Sequence, residues 1–133
     1  MKKTIISWFV AFLAMYIVSI IWYGFIIADY NSVQFSEVLR DESSFSMQKI
    51  TIGYVLLPLF MAFIYPFGYK GGTYLEEGLR FGLLMGLFWA IPATFINSGA
   101  YKFPLVAGLV DGFYHVVEIT IGGIVIAMVR KDG

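Results

Sequence analysis

The hydrophobic positions of the chain fall into four long runs. The runs cover residues 4–28, 50–69, 81–101 and 103–129. The first three contain no charged side chain, and the fourth is interrupted by Asp111, His115 and Glu118. A helix needs about 20 mainly apolar residues to cross the hydrocarbon core of a bilayer. We therefore predict an all-α fold, an integral membrane bundle of four transmembrane helices with up-down topology, in a single domain over residues 1–133.

Turn-forming residues mark the expected ends of these helices. We expect helices over residues 4–27, 49–67, 73–97 and 104–129, and an outer loop over residues 28–48. Gly71 and Gly72 form the turn before the third helix, and Pro104 stands in the first turn of the fourth, where proline is tolerated. Within the outer loop, residues 33–39 are expected to form a short helix that lies on the membrane.

Composition supports a membrane protein and removes several other classes. Hydrophobic residues make up 59% of the chain and charged residues 14%, with a mean hydropathy of +0.80. Soluble domains carry about 25% charged residues, so the lipid bilayer is the expected partner. Nine basic and nine acidic residues cancel without forming a basic block, and no nucleic-acid partner is expected. The sequence has no cysteine, which excludes disulfides, thiolate metal sites and cysteine nucleophiles.

The positions of the basic residues predict the orientation of the bundle. They flank the two ends and the middle connection: Lys2, Lys3, Lys70, Arg80, Arg130 and Lys131. Because basic segments stay in the cytoplasm, both termini are expected there, in a multi-pass protein of the bacterial inner or plasma membrane. The first run is too long for a signal peptide and lacks a small-residue cleavage pattern. We expect it to remain as a helix, closed by Trp22 and Tyr23 at the membrane interface.

Small residues form a stripe along the third predicted helix. Four of them follow one another at intervals of four positions: Gly78, Gly82, Gly86 and Ala90. Close backbone contact is a main attraction between helices in lipid, so this stripe predicts a packing seam, within the bundle or between subunits. Gly108 and Gly112 on the fourth helix are the expected counterpart. Four short helices enclose little interior, and we expect a homo-oligomer or one subunit of a larger membrane complex.

Three polar side chains share one face of the fourth predicted helix. Asp111, His115 and Glu118 follow one another at i, i+4 and i+7, a spacing that places them on one side of a helix. His115 and Glu118 fall near the middle of the span. A carboxylate there costs about 2.5–3.5 kcal/mol on insertion scales, so such groups face the bundle interior and are functional candidates.

Three interpretations of this polar face remain open. The first is an internal network, in which Glu118 pairs with Arg80 and His115 bonds a tyrosine or tryptophan. The second is a proton or ion pathway. The third is a metal or cofactor site with His115 as ligand, although one histidine without cysteine makes a poor soft-metal site, and no cofactor is expected. Glu76, Glu77 and Arg80 also fit an ion-pair set at the start of the third helix.

Three short segments resemble a known family. They are Trp22-Tyr23-Gly24, Glu77-Gly78-Leu79-Arg80-Phe81-Gly82-Leu83-Leu84-Met85-Gly86 and Asp111-Gly112-Phe113-Tyr114-His115. In this order they resemble the domain of unknown function 1761 family, small four-helix membrane proteins of bacteria and fungi. The resemblance marks Trp22, Tyr23, Glu77, Asp111, Tyr114 and His115. The acidic outer loop and Glu118 depart from the family pattern, and the family has no established activity.

Two functional hypotheses follow from these patterns. The first is transport or permeation of protons, small ions or solutes along Asp111, His115 and Glu118, where the imidazole can change its charge near neutral pH. The alternative is an accessory or structural subunit with an internally satisfied polar network. No enzyme motif or nucleophile–base spacing occurs in the sequence, so an enzyme is the less favoured class.

Overall fold

The protein is a bundle of four long helices in a computed structural model that describes residues 1–131, without the side chain of Glu42. Four segments are long and apolar enough to cross a membrane: Lys2–Ile26, Met47–Gly68, Tyr74–Ala100 and Leu105–Arg130. Their mean hydropathies lie between 1.6 and 2.3. The prediction of an all-α bundle with four transmembrane helices is confirmed.

The helices begin and end close to the expected positions. They are α1 (Lys2–Ile21), which continues into a π-helical turn (Trp22–Ile26), then α2 (Ala28–Gln34), a 3-10 turn (Glu42–Ser44), α3 (Met47–Gly68), α4 (Tyr74–Ala100) and α5 (Leu105–Arg130). The Thr73 hydroxyl accepts from the Glu76 N–H, and the Glu76 carboxylate accepts from the Thr73 N–H. This capping box starts α4. Gly71 adopts a positive φ of 85° in the turn before it, a conformation that glycine supplies without strain.

The expected short helix over residues 33–39 was wrong. The helix of the outer loop is α2, which begins earlier and carries Asp29 in its first turn, where the helix dipole favours an acid. It ends before Phe35, whose ring is buried and lies 5.2 Å from the ring of Phe103. Val33 and Val38 are exposed, so the apolar pattern of this segment does not form one buried face.

Helix α5 is the centre of the bundle. In the most apolar 18-residue stretch of α5, 50% of the residues are buried within the protein, compared with 22–28% in the corresponding stretches of the other three spans. It packs antiparallel to α4 and to α1, and α1 packs antiparallel to α3. The start of α1, the end of α5 and the α3–α4 turn therefore lie at one end of the bundle, which we call the terminal end. The loop after α1 and the α4–α5 turn lie at the opposite, outer end.

The glycine stripe is the interface between α4 and α5 of one chain. A Cβ built on Gly78 would stand 2.5 Å from the Cα of Ile124, and one on Gly86 would stand 2.9 Å from the Cα of Val116. A Cβ built on Gly82 would stand even closer to the Cα of Thr120. The stripe thus packs within the bundle, and it provides no contact between subunits, so the expected oligomer stays a prediction.

The expected counterpart of this stripe was only partly right. Gly112 faces Ala90 and Thr94 at the outer end of the interface, but Gly108 contacts Phe103 and Thr94 instead of the stripe. The closest counterpart is Gly123, where a Cβ would stand 2.8 Å from the carbonyl oxygen of Gly78. The backbones of α4 and α5 therefore approach most closely towards the terminal end.

We expect Gly82→Ala to destabilise the bundle, because the new methyl group would overlap the Thr120 backbone. Overpacking of this kind costs about 1–3 kcal/mol. Gly53→Ala adds the same methyl group to a helix where nothing lies within 4 Å, and it serves as the matched control. Unfolding in detergent, followed by circular dichroism, should show a lower midpoint for Gly82→Ala than for Gly53→Ala. Equal midpoints would contradict the close packing of Gly82 against α5.

Candidate functional site

Polar side chains from three helices meet in the outer half of the bundle. The polar cluster consists of Tyr23 from the π-helical turn, Tyr54 from α3, and Asp111, His115 and Glu118 from α5. Along α5, Glu118 lies about 20 Å from the first residue of a helix about 39 Å long. The cluster therefore extends from the outer third of α5 to its middle.

At its outer end the cluster joins Tyr23, Asp111 and His115. The Tyr23 hydroxyl donates to Asp111 Oδ1 and lies 2.9 Å from His115 Nε2. His115 Nε2 also lies 3.3 Å from Asp111 Oδ2. The Tyr23 hydroxyl uses its proton in the bond to Asp111, so it can only accept in the bond to His115. Nε2 must therefore be protonated and donate to the hydroxyl oxygen. Asp111 and Tyr23 thus set the orientation of the imidazole.

At its inner end the cluster joins His115, Glu118 and Tyr54. His115 Nδ1 lies 3.5 Å from Glu118 Oε2, and the Tyr54 hydroxyl donates to the same oxygen at 3.1 Å. Glu118 is fully buried. An unprotonated Nδ1 and an ionised carboxylate are both acceptors, so this pair is favourable only when a proton or another cation lies between them.

The π-helical turn of α1 brings Tyr23 into this cluster. The turn is closed by the Ile27 N–H, which donates to the Trp22 carbonyl at 2.9 Å, five residues back. The first residue of the turn is Trp22. Its ring stacks on that of Tyr114, with a centroid distance of 4.8 Å and an interplanar angle of 2°. Such turns are rare and occur frequently at functional sites. Here the widened turn coincides with the residue that orients His115.

Two buried polar atoms of the cluster are left without hydrogen bonds. Within residues 1–131, neither Glu118 Oε1 nor His115 Nδ1 has a hydrogen-bond partner. An unpaired buried polar group costs about 1–3 kcal/mol. Both residues line a cavity of about 440 Å³ that opens between α3, α4 and α5. The cluster is therefore incomplete as a closed internal network, and the residues that carry the unpaired atoms lie beside open space.

The expected pairing of Glu118 with Arg80 was wrong. Arg80 pairs with Glu77 on its own helix and donates to the Gly68 carbonyl at 2.9 Å. The Glu77 carboxylate, 1% exposed, also accepts the N–H groups of Lys70 and Gly72 at 3.1 and 3.0 Å. Arg80 lies on α4 near the terminal end, beside Gly78 and Gly82, which face the α5 residues after Glu118. Glu77 and Arg80 therefore form the expected i,i+3 ion pair and hold the α3–α4 turn, whereas Glu76 accepts from the Thr73 N–H and hydroxyl.

The remaining predicted residues take different places. Asp111, His115 and Glu118 are together as expected, and His115 bonds a tyrosine. Tyr23 was expected at the membrane interface, but its hydroxyl belongs to the cluster. Tyr114 lies beside it, with its ring stacked on Trp22 and its hydroxyl buried. Tyr54 was not predicted as a site residue, although a tyrosine hydroxyl inside a charge-free span indicates a polar contact within the bundle.

The metal interpretation finds no ligand set here. Across residues 1–131, no group of three histidine, cysteine, aspartate or glutamate side chains is placed to hold a metal ion. Asp111 and Glu118 approach opposite nitrogens of the His115 ring. The single imidazole therefore separates the two carboxylates instead of joining them around one centre.

No family model, curated protein or solved structure matches this chain. The resemblance to the domain of unknown function 1761 family stays a prediction.

We expect Tyr23→Phe to release His115 from its fixed orientation and to destabilise the protein by about 1–3 kcal/mol, because two buried partners lose one hydroxyl. His115 is the sole histidine of the sequence, so its imidazole ¹⁵N signals are assigned without ambiguity. Nuclear magnetic resonance in micelles should show a changed Nε2 signal in Tyr23→Phe. Tyr65→Phe removes a buried hydroxyl that is unbonded within the described residues and lies against Phe81 in the other half of the bundle, and it should leave that signal in place. The same change in both variants would refute this role of Tyr23.

Proposed function

We propose that the protein is a small membrane transport protein in which the polar cluster takes up protons or small cations. The observation that carries this proposal is the fully buried Glu118 carboxylate, which has one oxygen unbonded within the described residues and lines an open cavity. Ionisable groups at this depth are costly and typically belong to substrate or ion pathways. A purely structural network would pair both oxygens.

The charges of the cluster support the same proposal. It holds two carboxylates, Asp111 and Glu118, and one imidazole, with no lysine or arginine among its members. Even with a protonated imidazole, two negative charges and one positive charge leave a net charge of −1. A negative charge in the middle of a bilayer is stabilised by a bound proton or cation. The cluster is thus suited to hold one.

The order of the groups supports proton movement along the cluster. Asp111 is 24% exposed at the outer end, His115 is 17% exposed, and Glu118 is buried at the inner end. The imidazole has a carboxylate on each side, so it can accept a proton at one nitrogen and release one from the other. Protons from the outer side would reach the centre of the membrane by this route.

An apolar layer lies between the cluster and the terminal end. Met15, Met61 and Ile126 are fully buried there, and Met15 packs against Gly122, one turn beyond Glu118. Such a layer opposes the passage of ions, because charges are costly in apolar surroundings. We therefore favour a transporter that exposes Glu118 to the two sides in turn over a permanently open channel.

Proton flux into liposomes tests this proposal. With a trapped pH-sensitive dye and an imposed pH gradient, wild type should carry protons faster than protein-free liposomes. His115→Ala and Glu118→Gln should both fall to the leak rate, since each interrupts the route to the centre. Ser7→Ala is the control, because it removes a buried hydroxyl that bonds the Thr4 carbonyl of its own helix, far from the cluster.

Two outcomes of this experiment would reject transport of protons. One is a wild-type flux that does not exceed the leak. The other is an unchanged flux in both His115→Ala and Glu118→Gln. Before the flux measurement, circular dichroism and gel filtration establish that each variant is folded, so a lost flux reports on the route and not on the fold.

The alternative proposal is an accessory or structural subunit of a larger membrane complex. It requires the polar network to be satisfied inside the chain or by a neighbouring subunit. Bonds from Tyr23 and Tyr54 support it. The unbonded His115 Nδ1 and Glu118 Oε1, counted over residues 1–131, count against closure of the network inside the chain. We therefore place it second.

We further propose that the terminal end faces the cytoplasm of a bacterial cell, because Lys70 and Arg80 lie there together with the basic residues of both termini. The natural sequence has no cysteine, so single cysteines report orientation directly. In intact cells a membrane-impermeant maleimide should label Ser43→Cys, in the outer loop, and should label Tyr74→Cys, at the start of α4, only after lysis. The reverse pattern would invert the proposed topology.

A further inference from the structure

The cavity beside the polar cluster has a charged floor and apolar walls. Its volume is about 440 Å³, within the range of about 300–1,000 Å³ that small-molecule sites occupy. It is lined by Lys49, Ile50, Gly53, Tyr54, Leu56, Leu57, Trp89, His115 and Glu118. A proton route requires far less room and no apolar wall. The shape and the lining therefore point to a larger ligand.

The floor of the cavity selects the charge of that ligand. Glu118 lines it, is fully buried, and has an Oε1 atom unbonded within the described residues. Its other oxygen accepts from Tyr54. An ionised carboxylate with an unbonded oxygen accepts a hydrogen bond from a donor, attracts a positive charge and repels an anion. The same buried carboxylate that supports the proposed function is thus the anionic group beside the cavity.

The walls of the cavity select the rest of the ligand. Trp89 lies beside His115, with 4.9 Å between the ring centroids, and it is followed around the wall by Leu56 and Leu57. An indole ring attracts a cation and also packs against an apolar group. The leucines offer apolar contact alone. A ligand that fills this cavity must combine a positive charge with an apolar body.

We infer that the cavity binds a small organic cation with an apolar body, its charged group against Glu118 and its body against Trp89 and Leu57. This inference rests on the proposed function, because it names the class of substrate that the transport protein carries. Lys49 lies at the rim and is exposed. Its ammonium group reaches water along a flexible stem, so it opposes the cation only weakly and leaves the floor negative.

Binding of benzyltrimethylammonium to the whole chain in detergent micelles tests this inference. This probe has a permanent positive charge and a phenyl body. Isothermal titration calorimetry should show binding of the cation in preference to phenylmethanesulfonate, an anion of similar size, and to the neutral isostere in which carbon replaces nitrogen. Equal binding of the three compounds would overturn the inference, because it would report partition into apolar surroundings without recognition of charge.

Substitutions in the cavity should change the affinity in opposite directions. Glu118→Gln keeps the shape of the side chain and removes its charge, and should weaken binding on the order of 30-fold or more. Trp89→Leu should weaken it about threefold or more. Lys49→Gln removes a like charge from the rim and should strengthen it about twofold. Trp8→Leu is the control for Trp89→Leu, because Trp8 bonds the Val55 carbonyl on α3 and does not line the cavity.

Using two cavity variants, Trp89→Leu and Glu118→Gln, keeps the test valid if one of them folds poorly. Trp89 is 45% exposed, so Trp89→Leu removes little buried contact and reports on the cavity even where Glu118→Gln is poorly folded. An unchanged affinity in a folded Glu118→Gln, or in Trp89→Leu, would overturn the inference. Proton flux without cation binding would overturn it as well and leave the proposed function standing. Cation binding without any flux would support the site and reject transport.

Discussion

The burial of Glu118 in the middle of an apolar bundle constrains the rest of the structure. A carboxylate at this depth is tolerated when neighbouring helices surround it and supply partners. Helix α5 therefore occupies the centre, with α4 against one face and α1 and α3 against the others. The glycines between α4 and α5 allow their backbones to touch. The face of α5 that carries the acids is then left to meet the tyrosines of α1 and α3.

The two ends of the bundle differ in how completely their charged groups are paired. At the terminal end, Glu77 accepts from the turn and from Arg80, and Arg130 donates to Thr4 across the bundle. At the outer end, a π-helical turn, a cavity and a partly exposed Asp111 replace this closed arrangement. Fully paired polar networks give rigidity, whereas partly paired ones at a cavity are suited to bind something. Function is expected at the outer half for this reason.

Much of the fold was predictable because it depends on local chemistry. Four charge-free or nearly charge-free runs predicted four spans, and the interval of four between Gly78, Gly82 and Gly86 predicted a packing seam. Apart from the short helix expected over residues 33–39, the errors concern partners. The long side chain of Arg80 was assigned to Glu118 on another helix, but the carboxylate of Glu77, three residues away, binds it first. Tyr23 was expected to close the first span at the membrane interface, an expectation that left open the bonds of its hydroxyl to Asp111 and His115.

The amino-acid sequence by itself determined that the chain spans a membrane with four helices and that Asp111, His115 and Glu118 share one helix face, since hydropathy and helical period are properties of neighbouring residues. The tertiary structure alone decided which side chains meet that face. Tyr23 and Tyr54 are separated from their partners by 92 and 64 positions. Helical period sets the direction of a side chain relative to its own axis and leaves open which helix packs opposite, so these contacts follow only from the packing of the whole bundle.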